Sequence, residues 1–376
     1  TFYPQNSGYS NAFQSLINAI LNNITDVHIT VVTPYPLGDK KELEHERLDI
    51  VRLKPKINIR KIRYFLNDYY FARIVSKKFK SENYELLFIE TFDQFIFLNS
   101  LDRNLFDKIL IRVHSTNETE YTFFDNQMEY KLRKFFIKKY IKNKIINIAS
   151  TNSFHIKFLK EYYFCNNLIE IGNKNFFVIP TPIEPLINKP NIISDKLKLF
   201  TLGRMDRLGL NQKGFIDFIY ALRLLEDNIL NRFEITIVGK GENKSDILKL
   251  AKGLNNIRFI DYLSHNETIE YLKETDIVVL PSRYEGLSMF ALEGLATGNA
   301  VIYSNTGGLV DLVKNNGFLF EPQNIEKLAF VLSQMAKKSN DEIFNMKQNS
   351  LNIIKENYLP KIVAKRFNDI FNLLKN

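Results

Sequence analysis

The sequence predicts an α/β protein made of two parallel-sheet halves that face a cleft. Three observations carry that reading. Short apolar runs rich in Val, Ile, Leu and Phe alternate with amphipathic segments throughout the chain. The alternation is interrupted once, by the proline-containing stretch Val178-Ile-Pro-Thr-Pro-Ile-Glu-Pro and a polar stretch over 186–196, and then restarts. Length agrees, because 376 residues accommodate two domains of ordinary size.

In the first half, 27–33, 86–90, 109–113 and 145–149 read as strands, with helical patterns over 67–80 and 126–142. The chain starts at Thr1 and turns helical near Ala12, although a parallel-sheet half should open on a strand, so the first strand is expected to lie outside this numbering. In the second half strands are expected at Leu197–Leu202, Phe233–Val238, Ile257–Ile260, Ile277–Leu280, 300–303 and 318–320. The predicted domains are therefore 1–187 and 188–360, followed by an amphipathic helix over 362–374.

Composition narrows the class. Hydrophobic residues make up 45% and charged ones 25%, which suits a folded globular chain rather than a disordered one. No apolar run approaches the roughly 18 residues that span a bilayer, and no signal peptide is visible. The lone Cys165 precludes an intrachain disulfide and fits a reducing cytosol. The net charge of +9 suits an anionic partner, but no nucleic-acid module is recognisable.

The chemistry concentrates in the second half. After the expected strand Ile277–Leu280 comes Glu285-Gly286-Leu287-Ser288-Met-Phe-Ala-Leu-Glu293. Ser288 suits a helix N-cap, and the free N–H groups of the first turn then favour a phosphate beyond the strand end. Two carboxylates stand nearby to accept hydroxyls. Gly203-Arg204 follows the first strand of this half and Lys213-Gly214 follows later. The glycines let backbone approach a phosphate, and Arg204 and Lys213 supply charge, with Arg207 as an alternative cation. Gly239-Lys-Gly241 follows the strand Phe233–Val238, and Phe259-Ile-Asp261-Tyr262-Leu263-Ser follows in turn.

Together these motifs resemble retaining glycosyltransferases of the GT-B fold, the family 4-like "glycosyl transferases group 1", which includes sucrose synthases and many bacterial capsule and lipopolysaccharide sugar transferases. The resemblance covers nearly the whole chain, and its specific part is about 199–320. It implies two Rossmann-like domains, an N-terminal one for the acceptor and a C-terminal one for the donor, with the last helix folded back on the first domain. Glu285 would contact the donor sugar and Glu293 the ribose, while Arg204 and Lys213 would hold the leaving diphosphate. Gly203, Gly239, Gly241, Leu263, Gly286, Leu287 and Ser288 would line the nucleotide. His114, after the strand Ile109–Val113, falls where relatives place a cleft histidine, and Gly8-Tyr9 resembles their first loop. Asp261 and Asp311 stand where the family has Gly and Glu. The implied reaction is metal-independent, since Asp-x-Asp does not occur. The expected donor is a UDP-linked sugar and the acceptor a saccharide or lipid-linked glycan, with no other cofactor, in bacterial surface-glycan synthesis in the cytoplasm.

The basic run from Lys131 to Lys144 has two readings, a helix lying on an anionic membrane or an ordinary helix packed on the sheet. Two functional alternatives stand beside the transferase. One is a nucleotide-sugar epimerase of the same fold, for which no clear acid/base set is seen. The other is a non-catalytic glycosyltransferase-like subunit.

Overall fold

The computed structural model describes residues 8–34, 44–54, 63–90, 95–114, 135, 147–164, 174–191, 193 and 195–375. The first seven residues, Cys165 and nearly all of the basic run between Lys131 and Lys144 lie outside them. The chain forms two compact units, Thr1–Pro182 with Pro360–Asn376, and Ile183–Leu359. Among the described residues, no helix is long and apolar enough to cross a membrane.

Unit 1 carries strands β1 (Ile29–Pro34), β2 (Leu48–Leu53), β3 (Leu87–Ile89), β4 (Ile109–Val113), β5 (Asn147–Ser150) and β6 (Asn175–Val178). β3 to β6 pair in sequence order in one parallel sheet, while β1 and β2 form a parallel pair of their own. β2 and β6 were not expected. The first described element is the helix Gly8–Asn23, so Gly8 and Tyr9 belong to its first turn rather than to a loop. This helix packs with the terminal helix Pro360–Lys375 through Leu16, Ile20, Val363, Phe367 and Ile370. Between β1 and β3 lies a cavity of about 370 Å³, lined by both strands and by Phe13, Ile17, Phe71, Val75 and Phe367.

Unit 2 holds β7 (Leu197–Leu202), β8 (Phe233–Val238), β9 (Ile257–Ile260), β10 (Ile277–Leu280), β11 (Ala300–Ser304) and β12 (Gly317–Phe320). All pair in parallel, in the order β12-β11-β10-β7-β8-β9. A parallel sheet covered on both faces needs strands that are apolar on both sides. That is what the sequence supplies. Leu199, Ile235, Ile237, Val279 and Ile302 pack into the core on one face, and Phe200, Val238, Val278, Leu280 and Tyr303 into the core on the other. Strand order reverses between β7 and β10. In an open α/β sheet that switch point, outside the carboxyl ends of the strands, is where a ligand crevice forms.

Candidate active site

The residues singled out in the second half follow the carboxyl ends of neighbouring strands in unit 2. Gly203 and Arg204 follow β7, Gly239 to Gly241 follow β8, and Glu285 follows β10.

The stretch between Arg204 and Lys213 is not a loop. Asp206 caps a short helix, Arg207–Lys213, by accepting a hydrogen bond from the Gly209 N–H at 2.6 Å. The helix absorbs the extra residues and returns Lys213 to Gly203, where a Cβ would sit 2.7 Å from Lys213 Cγ. Gly214 ends the helix at φ 65, close against the Pro281 carbonyl. Gly239 lies as close to Gly203, with its Cβ position 2.2 Å from the Gly203 carbonyl oxygen. Gly241 approaches the Asp206 amide equally closely. These glycines let the turns after β7 and β8 approach each other closely and let the end of the helix Arg207–Lys213 meet the end of β10.

Lys213 Nζ donates to Glu285 Oε2 at 2.7 Å, and Ser282 Oγ donates to the same oxygen at 3.2 Å. Both side chains of the pair are mostly buried, at 17% and 10% exposure. Among the described residues both hydrogen bonds to the Glu285 carboxylate fall on Oε2, and none reaches Oε1. Arg204 points elsewhere. Its guanidinium is largely exposed, with an ion pair to Asp206 at 3.5 Å.

Ser288 caps the helix Met289–Ala296, accepting from the Ala291 N–H at 3.3 Å. Gly286 and Leu287 form the turn before it, with Leu287 half-buried against the core. The turn is held from behind. Gly308 N–H donates to the Gly286 carbonyl at 2.7 Å, and Gly307, at φ 53, leaves its Cβ position 1.8 Å from the Glu285 carbonyl oxygen. Thr306-Gly307-Gly308 is thus a brace for the Glu285 turn.

Glu293 is buried in the helix Met289–Ala296, with one oxygen, Oε1, bonded to His265 Nε2 at 2.9 Å. Burial pushes its carboxyl above the ordinary value, and His265 opposes the shift without cancelling it. His265 opens the helix His265–Glu274, just after Leu263 and the capping-box residue Ser264. The sequence reading did not single out His265. Its significance rests on a partner 28 positions away, and no local pattern marks it.

In unit 1, His114 follows β4 and meets Glu90 at the end of β3. Arg112 is fully buried, donates from Nε to Glu90 Oε2 at 3.2 Å, and bonds the Ile179 carbonyl. Burial pushes the Glu90 carboxyl up, but the Arg112 guanidinium and His114 outweigh it and hold it below its ordinary value.

Residues 183–351 match the family model described as "Glycosyl transferases group 1". The chain carries a domain of the glycosyl transferases group 1 family. A glycosyltransferase from Haemophilus influenzae, described as uncharacterized, is 26% identical over 211 residues, 55% of this chain and 56% of that protein. A protein of Escherichia coli named UDP-Gal:alpha-D-GlcNAc-diphosphoundecaprenol alpha-1,3-galactosyltransferase is 29% identical over 56% of this chain and 54% of its own length. The chain thus spans about half the length of these two relatives of the group 1 domain. The sucrose-phosphate synthase structure from Thermosynechococcus elongatus superposes with a TM-score of 0.75 at 17% identity, covering 98% of this chain and 94% of that one. The fold is therefore GT-B, with two Rossmann-like parallel-sheet domains. Within the group 1 domain fall Arg204, Lys213, Glu285, Glu293 and His265.

Proposed function

We propose that the protein is a retaining glycosyltransferase that moves a hexose from a UDP-linked donor to a saccharide or lipid-linked acceptor in bacterial surface-glycan synthesis. The observation that carries this reading is the Lys213–Glu285 pair at the sheet's switch point in a group 1 domain. The printed name of the E. coli relative, with its UDP-sugar and diphosphoundecaprenol acceptor, supports the donor and acceptor classes.

In this reading Glu285 Oε1 accepts a donor-sugar hydroxyl, and Lys213 and Arg204 hold the diphosphate as charge builds on it. Glu293 accepts the ribose hydroxyls, and the backbone around Leu263 borders the base. The anomeric carbon–oxygen bond to the diphosphate breaks as the acceptor oxygen bonds to the same face of that carbon. The acceptor proton passes to the departing phosphate oxygen. The two cations take the place of a divalent metal, so excess EDTA leaves transfer intact. His114, oriented by Glu90, serves as a catalytic residue that contacts the sugar or supports the reacting centre. The enzyme works at the cytoplasmic membrane surface, where a lipid-linked acceptor is presented.

Thermal unfolding with a panel of nucleotide sugars tests the donor, since a ligand that binds only the folded state raises the Tm. A UDP-sugar that raises the Tm and is consumed when an acceptor glycan is added supports the reading. Stabilisation by no nucleotide sugar, or turnover that needs Mn²⁺ after EDTA, removes the donor or the metal-free part respectively.

A further inference from the structure

We propose that His265 is a positioning residue for the donor ribose, acting through Glu293; this rests on the reading of Glu293 as the ribose ligand. A glutamate carboxylate rotates broadly about its last torsion, so a buried one must be held if it is to meet two hydroxyls in fixed geometry. Here one oxygen is held and one is not. His265 Nε2 bonds Oε1 at 2.9 Å, and among the described residues no hydrogen bond reaches Oε2. Burial works against the charge on Glu293, and the bond from His265 opposes that effect.

The imidazole is itself placed from outside the site. Ser264 caps the helix His265–Glu274 in a capping box with Glu267, which fixes the backbone from which His265 projects. Glu293 stands on a different helix, Met289–Ala296. His265 therefore ties the loop that borders the base to the carboxylate that reads the ribose. The histidine side chain is 69% exposed while that of Glu293 is 11% exposed. Replacing His265 thus removes little packing and leaves the carboxylate unheld.

Calorimetric titration at pH 8 with UDP, GDP, ADP and their 2′-deoxy counterparts tests this in wild type, His265→Ala, His265→Gln, Glu293→Ala and the double mutant. The expected wild type prefers the ribonucleotide. His265→Ala should bind it about five- to thirtyfold more weakly and lose most of that preference, with the apo Tm little changed. His265→Gln keeps a donor and should recover part of both. In the Glu293→Ala background there is no carboxylate to hold, so His265→Ala should add nothing. The proposal is overturned if His265→Ala weakens ribo and deoxy ligands equally, or still weakens binding without Glu293. If Glu293→Ala weakens binding and His265→Ala does not, the ribose reading survives and the histidine role fails. If Glu293→Ala itself leaves affinity unchanged, both fail.

Discussion

Lys213 Nζ lies 2.7 Å from Glu285 Oε2, although the two residues are 72 positions apart in the chain. A cation proposed for the diphosphate is thus bonded to the carboxylate proposed for the sugar. Each holds the other in place before any donor arrives, and neither stands as an uncompensated charge in a site that excludes most water.

That coupling separates stability from chemistry. Lys213→Met strands the mostly buried Glu285 carboxylate and should cost about 1–3 kcal/mol. Glu285→Gln should restore much of it in the double mutant, a non-additive effect visible in denaturant unfolding. Transfer should stay depressed about ten- to a hundredfold or more in both singles and in the double. Additive stabilities would show that the pair is not coupled, and near-wild-type turnover would remove it from the reaction.

Gly307 offers a test by shape alone. Its φ of 53 and the 1.8 Å gap from its Cβ position to the Glu285 carbonyl oxygen mean that Gly307→Ala must push the Glu285 turn. A displacement near 1 Å at a positioning element can cost about a hundredfold in rate. Gly253 is the control, since it has a positive φ of 93 but no atom within 4 Å of its Cβ position. Gly253→Ala should lower the Tm modestly through backbone strain and leave transfer alone. Equal kinetics for both variants would show that Thr306-Gly307-Gly308 does not brace the turn.

What the sequence made legible follows from what each residue depends on. β10 could be read because it is an unbroken buried apolar run, and β7, β8 and β9 because most of their residues are apolar despite single charged ones at Lys198, Glu234 and Arg258. Ser288 could be read because an N-cap is a local bond. β2 could not, because Asp49 and Arg52 interrupt a half-exposed strand. The helix Arg207–Lys213 contains Gly209 and lacks an apolar stripe, and it forms because Asp206 caps it and Gly241 packs closely behind. His265 and Lys347 carry ordinary helix-surface identities, and only the fold brings each to its carboxylate.

Lys347 gives the largest expected loss of stability. It is fully buried and bonds Asp276 at 2.8 Å and the Thr275 carbonyl at 3.2 Å. Burial pulls its pKa below the ordinary lysine value, while Asp276 opposes the shift. Lys347→Ala leaves a buried carboxylate unpaired and should cost about 3–5 kcal/mol. Asp276 precedes β10, at the end of the sheet away from Glu285, so nucleotide affinity of the folded fraction should be unchanged. A loss below about 1 kcal/mol by denaturant unfolding would show that the pair is replaceable by water.

Glu293 should display a trade between stability and binding that depends on pH. Its carboxyl is raised from the ordinary 4.5 because burial disfavours the charged form more than His265 favours it. The folded protein therefore holds that proton more tightly than the unfolded chain does. Stability from this group is fully present below the unfolded value and is lost as pH rises through the higher folded one. Glu293→Gln has no proton to lose and keeps a side-chain oxygen for His265. The variant should therefore melt above wild type at neutral pH, and the difference should shrink as the pH falls below 4.5. Nucleotide affinity should move the other way, because a neutral amide accepts ribose hydroxyls more weakly than a carboxylate does. Melting curves across pH, paired with titrations at neutral pH, decide it. A variant less stable than wild type at neutral pH would mean that the bond to His265 outweighs burial. The carboxylate would then hold the fold together as well as the ligand.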